Sequence, residues 1–207
     1  MLKILGKPTS INVRKVLWTC AELGLPSSLQ PWGTGALSLQ SPEFLALNPN
    51  AMVPVIDDDG FILWESNSIC RYLADRYGDG ALLPPPSRER ALVERWMDWQ
   101  TSELNNSWRY AFMALVRNSP LHGDAAQLET GVAAWNRCMG LLDSHLAGHG
   151  PYMAGAAFTL ADIVIGLSVN RWKRTPLAHA ALPAVEAYFA LLSQRPAFLE
   201  HGNNGIA

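Results

Sequence analysis

The chain has 207 residues, 49% of them hydrophobic, which is enough for one large domain or two small ones with packed cores. Sixteen basic residues against 18 acidic ones give a net charge of −2, which argues against nucleic acid as the main partner. No apolar run approaches the ~18 residues of a membrane span. The apolar stretch Met1–Leu5 is also too short for a secretory signal. We therefore expect neither nucleic acid nor membrane as a partner.

The three cysteines, Cys20, Cys70 and Cys138, are far apart and form no C-x-x-C pair. An odd number of isolated cysteines is typical of a reducing compartment, which predicts a cytoplasmic location and buried or idle thiols. The five histidines show no metal-ligand spacing, so we expect no metal. His145 and His149 are four residues apart, but the glycines beside His149 indicate that a helix ends there, which favours a surface role.

Short strands alternate with helices over the first 80 residues, which is the pattern of a small α/β layer. Apolar residues at helical spacing identify the helices. A serine–proline pair marks where a helix begins, and a glycine marks where one ends. The predicted elements, in chain order, are strand Leu2–Leu5, helix Asn12–Leu23, strand Leu29–Trp32, a short helix from Ser41, a hairpin and helix Ser66–Tyr77.

The hairpin is the most informative stretch of the chain. Strands Val53–Ile56 and Phe61–Trp64 flank the acidic turn Asp57–Gly60. Pro54 stands at the open end of the hairpin, where it removes no ladder donor. The second strand runs directly into Glu65-Ser66 at the start of a helix. An acid and a hydroxyl in that position favour a site for a small zwitterion.

A linker separates this layer from the rest of the chain. Gly78–Gly80 and Pro84–Pro86 interrupt every pattern, because three prolines in a row continue neither a helix nor a central strand. We therefore predict two domains, residues 1–80 and 87–207. The second is a helical bundle, in which Thr159 and Asp162 form a capping box before the most apolar helix. Its predicted helices are Ser87–Val116, Ala125–Leu146, Thr159–Trp172 and Leu182–Leu192.

In this order and at these spacings, the motifs resemble the cytosolic glutathione transferases, in particular the serine-type, theta-like and beta-like bacterial members. The motifs are Asn48-Pro49 followed by Val53-Pro54, then Glu65-Ser66, then the Thr159–Asp162 box, and they extend over essentially the whole chain. The resemblance implies an α/β plus all-α fold. A thioredoxin-like domain that binds glutathione is followed by an all-helical domain with a pocket for a second substrate.

The resemblance also implies which residues hold glutathione. Ser66, at a helix N-terminus, receives the γ-glutamyl carboxylate, and Glu65 receives the ammonium. Val53 pairs its main chain with the cysteinyl backbone, as an added strand does. Met52 precedes this contact, and a cis bond to Pro54 follows it.

The chain departs from the family pattern at two places. Family members often hold the glycyl carboxylate with a lysine, arginine or histidine, but Gly33–Leu47 has none, which leaves Gln40 as the candidate donor. Ala51 stands where glycine or a larger polar residue is usual.

Thiol activation is expected between the first strand and the first helix. A donor aimed at the glutathione sulfur stabilises the thiolate and lowers the pKa of the thiol. Aligned on Arg14, Ser10 occupies the theta-like position with Asn12 as a helper, whereas a zeta-like register places Thr9 there. Asn12 is equally consistent with a helix cap. Neither a tyrosine nor a cysteine lies near this turn, which disfavours a tyrosine-type enzyme and a mixed disulfide.

The second-substrate pocket is expected to be largely aromatic. For any single candidate, a place in the hydrophobic core is the alternative interpretation. The candidates are Ile11, Trp108, Phe112, Met113 and Trp172.

The leading hypothesis is a detoxifying enzyme, a glutathione S-transferase that joins its co-substrate glutathione to an electrophilic, mostly apolar small molecule. The same thiolate would serve a glutathione-dependent peroxidase or disulfide reductase. A third reading is a non-catalytic module that dimerises or binds a partner. Because family members are usually homodimers, we expect a homodimer here.

Overall fold

The computed structural model describes residues 1–35 and 37–207 of the chain. These residues divide into two compact units, Met1–Leu83 and Pro84–Ala207. None of the helices among these residues is both long and apolar enough to cross a membrane.

The first unit is a four-stranded mixed sheet with helices. The elements are β1 (Leu2–Leu5), α1 (Ile11–Glu22), β2 (Ser27–Gln30), α2 (Pro42–Leu47), β3 (Val55–Asp58), β4 (Phe61–Trp64) and α3 (Ser66–Tyr77). The strand order is β2-β1-β3-β4, in which β1 and β2 are parallel and the other two pairs are antiparallel. This is the thioredoxin-like arrangement that the resemblance implies.

The core of the first unit consists of the packed interface between α1 and α3 and of the buried side chains of the sheet. Ile4 and Ile56, which are direct partners in the β1–β3 ladder, are both fully buried. A second cluster around Leu5, Phe44 and Val55 packs α2 against the same sheet. These contacts hold the ends of the strands in place.

Two predicted strands are displaced by two residues, and a proline accounts for each displacement. The strand predicted at Leu29–Trp32 runs over Ser27–Gln30, because Pro31 has no N–H to continue the ladder. Likewise, β3 begins at Val55, after Pro54. Because the strand then extends to Asp58, the turn is reduced from the predicted Asp57–Gly60 to Asp59-Gly60. Both turn residues have positive φ, 51° and 94°, as a two-residue hairpin turn requires.

The second unit is helical throughout. The prediction of one long helix over Ser87–Val116 is wrong in detail, because a π-helical turn at Gln100–Leu104 divides this segment into two α-helices. The last helix was not predicted. The elements are α4 (Ser87–Trp99), α5 (Asn105–Leu115), a 3₁₀ turn (Pro120–His122), α6 (Ala125–His149), α7 (Leu160–Arg174), α8 (Pro183–Leu192) and α9 (Pro196–His201).

Helix α7 is the central helix of the second unit, as its apolar sequence predicts. Every residue from Leu160 to Trp172 is buried. The predicted capping box is confirmed, since the Asp162 carboxylate accepts hydrogen bonds from the Thr159 N–H at 2.8 Å and the Thr159 hydroxyl at 3.1 Å. The box therefore sets the start of the helix around which the unit is built.

Candidate functional site

Three segments of the chain meet at one edge of the sheet in the first unit. Leu5, the last residue of β1, is paired with Val55, the first of β3, and Val55 is paired with Trp64, the last of β4. The loop after β1, the residues before β3 and the residues after β4 therefore leave the sheet side by side. They carry Ser10, Val53-Pro54 and Glu65-Ser66, the residues to which the family resemblance assigns contacts with glutathione.

The loop after β1 closely approaches the residues before β3. A Cβ atom added at Gly6 would lie 2.5 Å from Val13 Cγ2 and 3.2 Å from Val53 Cβ. Both distances are shorter than ordinary carbon contacts, so only glycine fits without a shift of its neighbours. Gly6 thereby allows the start of α1 and the Val53 segment to approach each other.

Ser10 is the N-cap residue of α1, and its backbone is extended there, with φ −78° and ψ 124°. Its carbonyl accepts the first helical hydrogen bond from the Arg14 N–H at 3.0 Å. Its side chain makes no capping hydrogen bond and has no other partner among residues 1–35 and 37–207. The half-buried hydroxyl is therefore free to donate to a ligand.

The other two candidate donors differ in position. Thr9 is exposed in the turn before the helix, whereas Asn12 is half-buried in the first turn of α1. The interpretation of Asn12 as the helix cap is wrong, because α1 begins at Ile11 and Ser10 holds the cap position. Burial lowers the pKa of Arg14 to about 10, which leaves its guanidinium protonated at neutral pH.

The Val53–Pro54 peptide bond is cis, as the family resemblance implies. Val53 is half-buried, and within the described part of the chain its N–H and C=O groups make no backbone hydrogen bond. The preceding loop is held by the buried Asn48, whose side-chain amide donates to the Met52 carbonyl at 2.8 Å. The Met52 side chain itself is 60% exposed. A free main-chain edge is what an extended peptide needs in order to pair.

The head of α3 presents an acid, a hydroxyl and unbonded backbone N–H groups. Glu65, the N-cap residue, has φ 72°, an uncommon conformation for a residue with a side chain. Its exposed carboxylate has no ion-pair partner among the residues that the structure describes. Ser66, the first helical residue, is only 6% exposed. The free N–H groups and the helix dipole favour an anion here.

The glycyl end of the site is the least defined. Gln40 is exposed, and its backbone N–H donates to the Ser38 hydroxyl at 3.1 Å. Ala36, in the same stretch, lies outside the described residues. A contact of Gln40 with the glycyl carboxylate stays a prediction.

The cysteines of the first unit, Cys20 and Cys70, are buried and free. Burial raises the pKa of Cys20 to about 12 and that of Cys70 to about 11, so both are protonated thiols at neutral pH. Thiols in this state are poor nucleophiles. A mixed disulfide on an enzyme cysteine is therefore disfavoured in this unit.

The predicted pocket residues of the second unit differ in burial. Trp108 and Phe112 form an edge-to-face pair with ring centroids 5.4 Å apart, under the Arg171 guanidinium at 4.5 and 4.2 Å. Trp172 is 1% exposed, and its indole N–H donates to Asn136 Oδ1 at 3.0 Å. Phe112 is also buried, so for these two the alternative of a core position is favoured. Ile11, in the first unit, is 8% exposed.

Several residues that shape these sites were not predicted. Gly6 and the Lys15–Asn67 hydrogen bond support the first-unit site, and Arg171 lies over the predicted pocket aromatics. The one available signal was Asn67, which directly follows the predicted Ser66.

Within residues 1–35 and 37–207 no group of three or more potential ligands could hold a metal ion.

Comparison with known proteins defines the family. Residues 9–76 match the family described as Glutathione S-transferase, N-terminal domain. Glutathione S-transferase GstB of Escherichia coli K12 is 36% identical over 95% of each chain. Glutathione S-transferase 3 of Zea mays is 34% identical over 95% of this chain and 91% of its own. The chain belongs to the glutathione S-transferase family.

A solved structure agrees with this assignment over both units. The theta class glutathione S-transferase from Xanthomonas axonopodis pv. citri, with glutathione bound, superposes with a TM-score of 0.90 at 36% identity. The match covers 97% of this chain and 96% of that one. The predicted fold class, a thioredoxin-like domain followed by a helical one, is confirmed.

Proposed function

We propose that this protein is a glutathione transferase in which Ser10 stabilises the thiolate of bound glutathione for attack on an electrophile. The observation that carries the proposal is the free hydroxyl of Ser10, which lies at the sheet edge where Val53 and Glu65-Ser66 also emerge. Membership of the family, and a 36% identical relative whose structure holds glutathione, support it.

Glutathione is held by groups that complement its charges. The α3 N–H groups and the Ser66 hydroxyl bind the γ-glutamyl carboxylate, and the unpaired Glu65 carboxylate binds the ammonium. The free N–H and C=O of Val53 pair with the cysteinyl backbone, beside Met52 and Pro54. Gln40 donates to the glycyl carboxylate. In this orientation the cysteinyl sulfur lies near the start of α1.

Ser10 acts on the sulfur by hydrogen bonding, with Asn12 as a second donor. A free thiol with a pKa of about 8.5 is only ~3% thiolate at pH 7, and a donor that lowers the pKa to about 7 raises this to about half. The thiol proton passes to solvent. The sulfur then forms a bond to the electrophilic carbon, and the leaving group departs with the electron pair of the bond that breaks.

The remaining parts of the proposal come from the family. The electrophile is an apolar small molecule. Of the pocket residues predicted in the second unit, the half-buried Trp108 and Met113 contact it, whereas the buried Phe112 and Trp172 support them from the core. The protein is a cytoplasmic homodimer with a role in detoxification.

The test is the Ser10→Ala variant, assayed with glutathione and an aromatic halide. Turnover should fall by about 10²–10³, with glutathione affinity nearly unchanged, because the lost donor acts on the developing charge. The apparent pKa of kcat/KM should rise towards that of the free thiol. Thr9→Ala is the matched control and should keep wild-type activity.

The opposite pattern, with loss of turnover in Thr9→Ala and none in Ser10→Ala, would move the sulfur donor to Thr9. Full activity in both variants and in Asn12→Ala would reject a side-chain donor in this turn. Parallel assays with a hydroperoxide and a disulfide measure whether conjugation is the main reaction.

A further inference from the structure

The π-helical turn at Gln100–Leu104 changes which side chains of the long helical segment lie next to each other. Its closing bond runs from the Asn105 N–H to the Gln100 carbonyl, five residues back instead of four. In a regular α-helix, residues five apart point about 140° away from each other around the axis. The wider turn reduces this angle, so the two side chains meet. Gln100 Nε2 donates to Asn105 Oδ1 at 2.8 Å.

Gln100 is anchored in the central helix of the unit. It is 1% exposed, and its Nε2 also donates to Ser168 Oγ in α7 at 3.2 Å. The amide nitrogen carries two hydrogens and can therefore serve both acceptors. Ser168 is fully buried, and its own hydroxyl donates to the Val164 carbonyl at 2.9 Å. Through Gln100, the Asn105 oxygen is held in a fixed position relative to α7.

Asn105 in turn holds the indole of Trp108. Because α5 is a regular helix, these two residues, three apart, lie on the same face of it. Trp108 Nε1 donates to Asn105 Oδ1 at 3.0 Å. The Asn105 oxygen thus accepts from two donors. Since an amide nitrogen has no acceptor, these donors determine which end of the Asn105 side chain faces the indole.

Two further contacts restrict the Trp108 ring. The Arg171 guanidinium lies over it at 4.5 Å from the centroid, and Phe112 packs edge-to-face with it at 5.4 Å. Both neighbours are 3% exposed, whereas Trp108 is half-buried. The accessible part of the indole is therefore a flat apolar surface held in one orientation.

We propose that Asn105 is a positioning residue, which fixes the Trp108 indole as a wall of the electrophile site and thereby favours planar aromatic electrophiles over flexible aliphatic ones. This role rests on the proposed function, in which Trp108 contacts the electrophile. A planar substrate stacks on a ring that is already in place, so no side-chain freedom of Trp108 is lost on binding. The π-helical turn sets the orientation of the wall through Gln100.

The experiment is calorimetric titration of the full-length protein with S-(2,4-dinitrophenyl)glutathione, S-hexylglutathione and glutathione. The affinity of each conjugate relative to glutathione measures the electrophile site without turnover. Asn105→Leu should weaken the dinitrophenyl conjugate about three- to tenfold, as expected for the loss of one hydrogen bond. It should weaken the hexyl conjugate less and leave glutathione unchanged.

Two variants serve as controls. Asn105→Asp keeps an acceptor at the same position and should restore the affinity for the dinitrophenyl conjugate. Asn106→Leu makes the same substitution at the exposed neighbouring asparagine and should change no affinity. Asn105→Ser, whose shorter side chain does not reach the indole, replaces Asn105→Leu if that variant fails to fold.

A double-mutant cycle separates positioning from a general effect on the unit. In a Trp108→Phe background there is no indole N–H to accept from, so Asn105→Leu should cause no further loss of conjugate affinity. The same loss in both backgrounds would overturn the proposal. Equal losses for the two conjugates, or a loss that glutathione shares, would also overturn it.

Failure of the proposed function gives a different pattern. A protein that binds neither glutathione nor its conjugates would overturn the proposed function and the role of Asn105 with it. A protein that binds glutathione, but binds the dinitrophenyl conjugate no more tightly, would overturn only the role of Asn105. The expected affinities without turnover of any electrophile would overturn the proposed reaction and support the wall at Trp108.

Discussion

Lys15 Nζ donates a buried hydrogen bond to Asn67 Oδ1 over 3.1 Å. Lys15 lies in α1 and is 1% exposed, and Asn67 lies in the first turn of α3 and is 9% exposed. The bond joins the two helices whose N-termini flank the proposed glutathione site. It therefore holds the start of α1 and the start of α3 in a fixed relation.

Removal of the Asn67 acceptor should lower the free energy of unfolding. Asn67→Ala leaves a buried ammonium short of one acceptor, so we expect a loss of about 2–3 kcal/mol in the free energy of unfolding. Urea unfolding measures this loss. In a Lys15→Met background the same replacement should cost much less, because the charge is gone. Equal costs in both backgrounds would show that the two side chains are not coupled.

Ser66→Ala tests the anion site at α3. The variant keeps the helix N–H groups but loses the hydroxyl, so glutathione should bind roughly ten- to a hundredfold more weakly, as expected for a hydrogen bond to a charged group. Ser68→Ala, which removes an exposed hydroxyl from the same helical turn, is the control. Calorimetry with glutathione compares the two. Similar losses in both would point to a general effect on the helix.

Gly6→Ala tests the close approach of the β1–α1 loop to Val53. The added methyl group meets Val13 and Val53 at 2.5 and 3.2 Å, so we expect a loss of about 1–3 kcal/mol in the free energy of unfolding and weaker glutathione binding. Gly140→Ala in α6 places a methyl group with no atom within 4 Å. That control should gain up to about 1 kcal/mol from helix propensity. Wild-type glutathione affinity in Gly6→Ala would contradict the positioning role.

Asp162 makes stability depend on pH. Burial raises the pKa of its carboxyl to about 6, although the Met153 and Thr159 N–H groups and the Tyr188 hydroxyl all donate to it. Because the folded-state pKa is higher than the unfolded one, the folded state binds the proton more tightly. The contribution of Asp162 to stability therefore falls as pH rises from about 4 to about 6.

Tyr188→Phe should extend to higher pH the range over which the contribution of Asp162 to stability falls. Loss of the donor raises the pKa of Asp162 further and should cost about 1–2 kcal/mol, more above pH 6 than below pH 5, because the hydroxyl binds the carboxylate more strongly than the neutral acid. Chemical unfolding of wild type and variant from pH 4.5 to 7.5 measures the difference. Tyr152→Phe, whose hydroxyl has no hydrogen bond to Asp162, is the control. A pH-independent difference would contradict the coupling.

Local signals in the sequence predicted much of the fold. The Asp57–Gly60 hairpin turn, the Thr159–Asp162 box and the start of α3 at Ser66 each depend on residues close in the chain. All three are found, the turn in the shorter form Asp59-Gly60. The π-helical turn was missed, because its side-chain bonds include one from Gln100 to Ser168 in a different helix, over 3.2 Å. The hydrophobic periodicity of a segment gives no information about a side-chain contact with a distant helix.

The candidate site shows the same division. Ser10, Val53, Glu65 and Ser66 came from motifs in chain order, and the strand register explains why they lie at one edge. The supporting contacts could not be predicted in this way. Gly6 and Val53 are 47 residues apart in sequence, and Lys15 and Asn67 are 52 apart, so only the fold brings each pair together.

The burial of Cys20 and Cys70 has a consequence for a protein that activates a thiol among reactive electrophiles. Such a protein contains competing sulfur atoms of its own, and any that ionised would be alkylated in place of the co-substrate. In the first unit both sulfhydryls are enclosed and held in the protonated form. Electrophiles that reach the bound tripeptide therefore meet no ionised cysteine thiol among the described residues of this unit, so neither of these two cysteines competes with the co-substrate.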